Sequence, residues 1–182
     1  LVFGAIDVAA ALAKQGRLLG YRVTVCDARA LFATKERFPD ADEVVVEWPH
    51  RYLASTPVDG RTVVCVLTHD HKFDVPVLQV ALSLPVAYVG AMGSRRTHRE
   101  RVARLVEAGV GAEELARLHS PIGLDLGART PEETAVAIAA EVISARWGGS
   151  GERLSDQDSA VHRDHRPVHA GDVSRIHDRH PA

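Results

Sequence analysis

From residue 1 to about 147, short Val-rich apolar runs alternate with longer stretches whose apolar residues recur at helical spacing, a pattern that predicts βαβ units around a parallel sheet. Five strands are expected, at 1–3, 21–26, 43–46, 62–67 and 86–89. Each is nearly continuous in apolar residues, as in a strand covered on both faces. Helices are expected at 8–19, 74–84, 94–108 and 130–146. The first ends near Gly20, a C-cap residue type. The last has the clearest start: Thr130-Pro131-Glu132-Glu133 supplies an N-cap hydroxyl, a proline at N1 and a glutamate at N3. Its apolar positions Ala135, Ile138, Ala139, Val142 and Ile143 fall on one side and would cover the sheet. The expected fold is α/β, a Rossmann-like doubly wound sheet with helices on both faces.

After Trp147 the pattern stops, at Gly148-Gly149-Ser150-Gly151. Residues 152–182 hold six acids, five arginines and five of the ten histidines, with hardly any large apolar residue. Such a composition cannot bury enough surface to offset its ordering entropy, so 148–182 is expected to be a disordered, His-rich tail. His162, His165 and His169 would share one helix face, but Pro167 interrupts that helix, and a solvated tail with adventitious metal affinity is the simpler reading.

The whole chain has 182 residues, 46% hydrophobic and 25% charged, with a net charge of −2, so no basic field favours nucleic acid or an anionic membrane. No apolar stretch approaches the roughly 18 residues of a membrane helix, and residues 1–20 show neither the basic region nor the cleavage site expected of a signal peptide. Cys26 and Cys65 sit inside apolar runs, where buried reduced thiols are expected, and a cytoplasmic location follows as the default. The chain opens on Leu1-Val2-Phe3-Gly4 without a methionine, a strand so short that sequence upstream of it is expected.

Ligands of open parallel sheets bind outside the carboxyl ends of the strands, so those ends are where chemistry should gather. The first carries Gly4-Ala5-Ile6-Asp7, and Asp27 follows 23 residues after Gly4, at the end of the second strand. This resembles a dinucleotide-binding unit, whose glycines admit a pyrophosphate and whose acid holds a ribose. Here, however, Ile6 adds bulk and Asp7 a negative charge where the phosphates would lie, so NAD binding in the usual mode is disfavoured against a core without that ligand. Asp27 and Arg29 end the second strand, and Thr68-His69-Asp70-His71 ends the fourth. His69 and Asp70 read either as ligand or acid–base contacts or as a polar helix-entry loop. The fifth ends in Gly90-Ala91-Met92-Gly93-Ser94-Arg95-Arg96. Two glycines free that backbone, Ser94 can cap the helix, and two arginines at a helix N-terminus oppose its dipole unless an anion binds there. Five arginines against two glutamates between Ser94 and Glu107 leave a second reading, a basic solvated face paired by Glu100 and Glu107. Pro121-Ile122-Gly123-Leu124-Asp125-Leu126-Gly127 could lie over the same edge, or serve packing alone.

Taken together these stretches resemble the XdhC/CoxI family, the accessory proteins that mature xanthine dehydrogenase and related molybdenum hydroxylases. The resemblance is carried by Arg37-Phe38-Pro39-Asp40-Ala41-Asp42, Leu67-Thr68-His69-Asp70 with Asp74, Tyr88 to Arg96, Leu118 to Gly127 and Thr130 to Ala135, in the family's order, over residues 1 to 147. It implies a C-terminal Rossmann-type domain that transiently binds the molybdenum cofactor (molybdopterin), supports its sulfuration and hands it to an apo-hydroxylase. A cysteine desulfurase or other sulfur donor would be a further partner, and a homo-oligomer the expected assembly. The cofactor's anionic end would suit Gly93 to Arg96; His69 and Asp70 would meet the pterin or metal end. Gly90, Met92, Asp27, Arg29 and Gly123 complete the candidate cofactor-binding set, with no catalytic or metal-ligating residue. Two features depart from the family: Gly4-Ala5-Ile6-Asp7 stands where its members have Gly-Ala-Gly-His, and the N-terminal domain that usually precedes this one is expected to be missing. A chaperone rather than an enzyme is implied. The alternatives are an NAD(P)-dependent oxidoreductase on the same core and an interaction module that holds no ligand.

Overall fold

The computed structural model describes residues 1–68 and 70–158. Six parallel strands form one sheet in the order β3-β2-β1-β4-β5-β6: β1 (Val2–Phe3), β2 (Thr24–Asp27), β3 (Glu43–Val46), β4 (Val63–Val66), β5 (Tyr88–Ala91) and β6 (Leu118–His119). The helices are α1 (Asp7–Leu18), α2 (Pro49–Ser55), α3 (His71–Ser83), α4 (Arg95–Glu107), α5 (Ala112–Leu115) and α6 (Pro131–Trp147). The strand order reverses between β1 and β4, the position where a doubly wound sheet opens a crevice at its carboxyl edge.

Strand alternation sorts the core into two layers. Val2, Val25, Cys65 and Tyr88 point to the face covered by α1 and α6, where Leu12, Ala13, Ile138 and Val142 pack on them. Phe3, Cys26, Val64, Val66 and Val89 point to the opposite face, against Leu53 of α2, Val77, Leu78 and Ala81 of α3 and Leu105 of α4. Both cysteines are free and buried, and these opposite faces keep them from each other.

The structure corrects the expected elements where tertiary context decides. β3 is an edge strand, not one buried on both faces: Glu43 and Val46 are exposed and pair on one side only, with β2. β6 is absent from the expected strands because its two residues are half-buried and carry no β-branched run. The Asp70 carboxylate accepts the Lys72 N–H and so starts α3 at His71, earlier than its apolar pattern indicates. On α6 the buried positions are Ala135, Ala137, Ile138, Ala139 and Val142, while Ile143 lies 41% exposed. The Thr130–Glu133 capping box forms as expected: Glu133 N–H donates to Thr130 Oγ1, and Thr130 N–H to Glu133 Oε2. Gly148 ends α6 in the left-handed conformation (φ +67°), and one 3-10 turn, Leu154–Asp156, follows. The histidine-rich part of the expected tail, beyond residue 158, lies outside the described residues. Among those described, no helix is long and apolar enough to cross a membrane.

Candidate binding edge

The loops that leave the carboxyl ends of β1, β2, β4, β5 and β6 converge on one edge, but its two halves are built differently. On the β1–β2 half the polar groups satisfy one another. Asp27 Oδ2 accepts the Ala5 N–H at 2.8 Å, and Asp27 Oδ1 accepts the Arg29 N–H and Nε, both at 2.9 Å. Arg29 Nη2 closes the fork on Oδ2 at 2.7 Å. Burial opposes ionisation of Asp27, but the Arg29 side chain and the two backbone N–H groups outweigh it and hold the carboxyl below the usual carboxylate range. Arg29 and Arg37 both face the Phe32 ring, at 4.6 and 5.7 Å from its centroid. Arg37 Nη1 donates to the carbonyls of Ala5 and Phe32, and Nη2 stands 3.6 Å from Asp7. The acid expected to hold a ligand's ribose is thus engaged in closing its own loop. Gly4 is held there by close approach: at φ +114° an added Cβ would stand 3.0 Å from the Thr68 nitrogen.

On the β4–β5–β6 half a buried polar chain lies beneath the loops. Asp70 N–H donates to Thr68 Oγ1 at 3.1 Å, and Thr68 Oγ1 donates to Asp74 Oδ1 at 2.6 Å. Arg101 Nη2 meets Asp74 Oδ2 at 2.9 Å and the Met92 carbonyl at 2.7 Å, and Nη1 donates to Ser120 Oγ at 3.0 Å. The Asp74 and Arg101 side chains are both 0% exposed. Sequence reasoning does not single out Arg101 or Ser120. The one signal it offers is a carboxylate, Asp74, set among Phe73, Val77, Leu78 and Ala81 on a helix face that packs into the core, since a buried acid requires a buried cation or donor. On α4, Arg101 stands one turn before the buried Leu105 and supplies it.

Above this chain, Gly93 adopts φ +150° and Ser94 caps α4, its Oγ accepting the Thr97 N–H at 3.1 Å. The helix leaves the N–H groups of Arg95 and Arg96 without intrahelical acceptors. Arg96 Nε pairs with Glu100 Oε1 at 2.9 Å across one exposed turn, so the solvated-face reading holds for this residue. The Arg95 side chain has no hydrogen bond or ion pair with a described residue and is exposed. Met92 contributes its backbone here, its N–H going to Val66 O at 2.8 Å and its carbonyl to Arg101, while its side chain packs on the α1–α6 layer.

The remaining expected residues divide between packing, capping and the edge. His69 lies outside the described residues. Asp70 is the N-cap of α3, and the Lys72 N–H together with its ammonium holds the carboxyl below its usual range. Gly90 sits within β5, where an added Cβ would stand 2.6 Å from the Ile122 side chain, so this glycine serves packing. Gly123 (φ +100°) lets the last loop approach the Ala137 backbone of α6. Its N–H joins a second polar cluster by donating to Glu141 Oε2 at 2.7 Å. The same oxygen accepts from the Tyr88 hydroxyl at 2.5 Å, and Glu141 Oε1 lies 3.4 Å from His119 Nδ1, with His119 stacked on Tyr88 at 4.5 Å. Burial would raise the Glu141 carboxyl, but these donors reverse the shift and lower it. A cavity of about 480 Å³ lies at the opposite end of the sheet, lined by Leu1, Leu12, Tyr21, Thr62, Val142 and Arg146 among others, and none of the edge residues borders it. Among the described residues no group of three or more His, Cys, Asp or Glu is arranged to hold a metal ion.

Comparison with known proteins bears on this geometry. Residues 1–142 match the family model of the XdhC Rossmann domain. A relative from Bacillus subtilis, named as a probable xanthine dehydrogenase subunit, is 31% identical over 146 residues, 80% of this chain and 42% of that protein. The molybdenum cofactor insertion chaperone PaoD of Escherichia coli is 40% identical over 93 residues, 51% of this chain and 29% of PaoD. Among solved structures, a xanthine dehydrogenase from Bacillus halodurans superposes with a TM-score of 0.69 at 29% identity, over 86% of this chain and 44% of that one. The chain therefore spans less than half the length of these relatives.

Proposed function

The chain belongs to the XdhC Rossmann-domain family, and from that premise we propose that its carboxyl edge binds the molybdenum cofactor and hands it to an apo-hydroxylase of the xanthine dehydrogenase type. PaoD is a molybdenum cofactor insertion chaperone, and its similarity to this chain supports the reading. The observation that carries it is the turn from Gly93 to Arg96. It combines a glycine-freed backbone, two helix N–H groups without intrahelical acceptors and an exposed guanidinium, Arg95, without a partner among the described residues, above a buried arginine. Those groups suit the phosphate of the cofactor, and Arg96 can exchange its exposed contact with Glu100 for a stronger one to a dianion. The pterin end would then lie toward the β4 loop at Thr68 and Asp70. Arg29, and Asp27 through it, would border the far side of the edge.

The role of the chain's own residues is binding, shielding and release, with no turnover step of their own. Sulfuration of the bound cofactor requires a sulfur donor from outside this domain. Burial pushes the Cys26 thiol up to about 12 and the Cys65 thiol up to about 11, so neither forms the thiolate that would take up a persulfide. A cysteine desulfurase or a similar persulfide donor fits that requirement. Two buried free thiols also suit a reducing cytoplasm. NAD is disfavoured because Ile6 and Asp7 open α1 and Asp27 is spent on Ala5 and Arg29. A homo-oligomer remains part of the proposal.

The test is binding of cofactor released from a purified molybdenum hydroxylase, with pterin quantified by fluorescence after oxidation. Stoichiometric binding to the full chain, weakened at least about tenfold by Arg95→Ala with Arg96→Ala, about 1.4 kcal/mol, is the expected result. A folded wild-type chain that binds no cofactor overturns the proposal. NAD(H) titration in parallel should show no binding; saturation there would favour the oxidoreductase reading.

A further inference from the structure

We propose that the buried Arg101–Asp74 ion pair is the positioning device of the edge, fixing the loops after β4, β5 and β6 in one relative geometry on which ligand binding depends. The inference rests on the cofactor reading for its ligand and on the structure for its mechanism. One guanidinium reaches three separate segments: Asp74 at the start of α3, the Met92 carbonyl in the β5–α4 loop, and Ser120 after β6. Thr68 extends the chain to the β4 loop through the other oxygen of Asp74. Met92 immediately precedes Gly93, and a Cβ added at Gly93 would stand 3.5 Å from Arg101 Nη2, so the guanidinium underlies the proposed phosphate turn.

The pair is poorly explained by stability alone. Taking two charges out of water costs several kcal/mol per ion, and apolar residues of similar volume commonly serve folding as well or better. Arg101 Nε is moreover buried without a hydrogen-bond partner among the described residues, a further penalty. What the planar fork supplies, and apolar packing cannot, is fixed direction toward several acceptors at once. Lysine lacks that fork and could hold Asp74 without reaching Met92 and Ser120 together. Arg101 is thus a positioning residue, acting on ligand through the loops it holds.

The test uses the full chain in three forms: wild type, Arg101→Lys, and Arg101→Met combined with Asp74→Leu. Thermal midpoint, affinity for cofactor released from a hydroxylase, and amide hydrogen exchange of the loops near 68, 90–96 and 118–123 are measured on each. The double variant should melt within a few degrees of wild type, bind cofactor at least about tenfold more weakly, and exchange faster in all three loops together. Arg101→Lys should show the same loss of binding, and it carries the test should the double variant not fold. Wild-type affinity and exchange in a folded variant would show the pair to be a packing element and overturn the inference. Should the wild-type chain bind no cofactor, the cofactor reading fails by itself and exchange decides: faster exchange in all three loops sustains the positioning role, and change confined to the substituted sites ends it.

Discussion

The two halves of the carboxyl edge use the same residue types to opposite ends. On the β1–β2 side an acid and an arginine, Asp27 at the end of β2 and Arg29 two residues on, pair locally and tie that strand end to the loop after β1, with Arg29 about half exposed. On the β4–β5–β6 side the acid and the arginine, Asp74 and Arg101, come from different helices and are wholly enclosed. The first arrangement is local, and its Arg and Asp charges cancel where a dinucleotide's ribose would be bound. The second reaches across the fold, neutralises itself below the surface, and leaves the Arg95 side chain above it without a partner among the described residues. On the proposed reading, anion binding in this Rossmann-type core would lie at the fifth strand rather than at the first loop, with the strand order unchanged.

The largest expected effect breaks the enclosed side. Arg101→Met alone strands the Asp74 carboxylate in the core and should cost about 3–5 kcal/mol in chemical denaturation. Restoring an apolar match with Asp74→Leu should recover most of that loss. Arg29→Met, which removes a half-exposed partner, should cost about 1 kcal/mol or less. Equal losses from the two arginine substitutions would dissolve the distinction between the halves.

Next in size is Gly4→Ala, where the halves meet. The positive φ and the 3.0 Å approach of an added Cβ to the Thr68 backbone should together destabilise by about 1–3 kcal/mol. Gly20→Ala, also at positive φ (+80°) but with nothing near the added Cβ, isolates the conformational part. An equal loss at both positions would mean that crowding between the β1 and β4 loops contributes nothing.

The fold is legible in the sequence because its signal is repeated: each Val-rich run and each helical period states the same α/β alternation. Resemblance supplies the family. The site is legible only in part. Glycine, serine and arginine after β5 stand next to one another in the chain, so their convergence can be read directly. The Asp74–Arg101 pair, 27 residues apart, and the Tyr88–Glu141–Gly123 cluster depend on which helix faces meet, which local periodicity does not specify. Asp27 is visible as the acid at the end of β2, yet its use is not, since a sequence cannot show that the Ala5 N–H and Arg29 already occupy it.

Acid titration sharpens the comparison with a smaller effect. Asp27 and Glu141 have folded-state pKa values below their ordinary ones, so the unfolded chain binds protons more readily at these sites. Their stabilisation is complete above the ordinary carboxylate range, near pH 4 to 4.5, and is lost as the pH falls through the folded-state values. Asp27→Asn should flatten the dependence of denaturant midpoint on pH below about 4.5 and leave the slope near neutrality unchanged. An unaltered acid slope would mean that the Ala5 and Arg29 contacts do not favour the ionised form.

The smallest effect is the one that bears on ligand. Arg96 and Glu100 form an exposed i,i+4 pair, so Arg96→Ala should change stability by no more than about 0.5 kcal/mol. Arg95, without a partner among the described residues, should be silent to the same measurement, or slightly stabilising when replaced, because a cation at a helix N-terminus opposes the dipole. A phosphate above the turn inverts that sign: each arginine then contributes to binding what it withholds from folding. Denaturation of Arg95→Ala with and without about 10 mM inorganic phosphate, an excess over the weak dissociation constants near 1 mM typical of about 4 kcal/mol, reads both quantities in one experiment. Wild type should gain stability from phosphate while the variant gains less. Equal gains would move the anion away from the fifth strand and leave the two halves of the edge alike in their indifference to it.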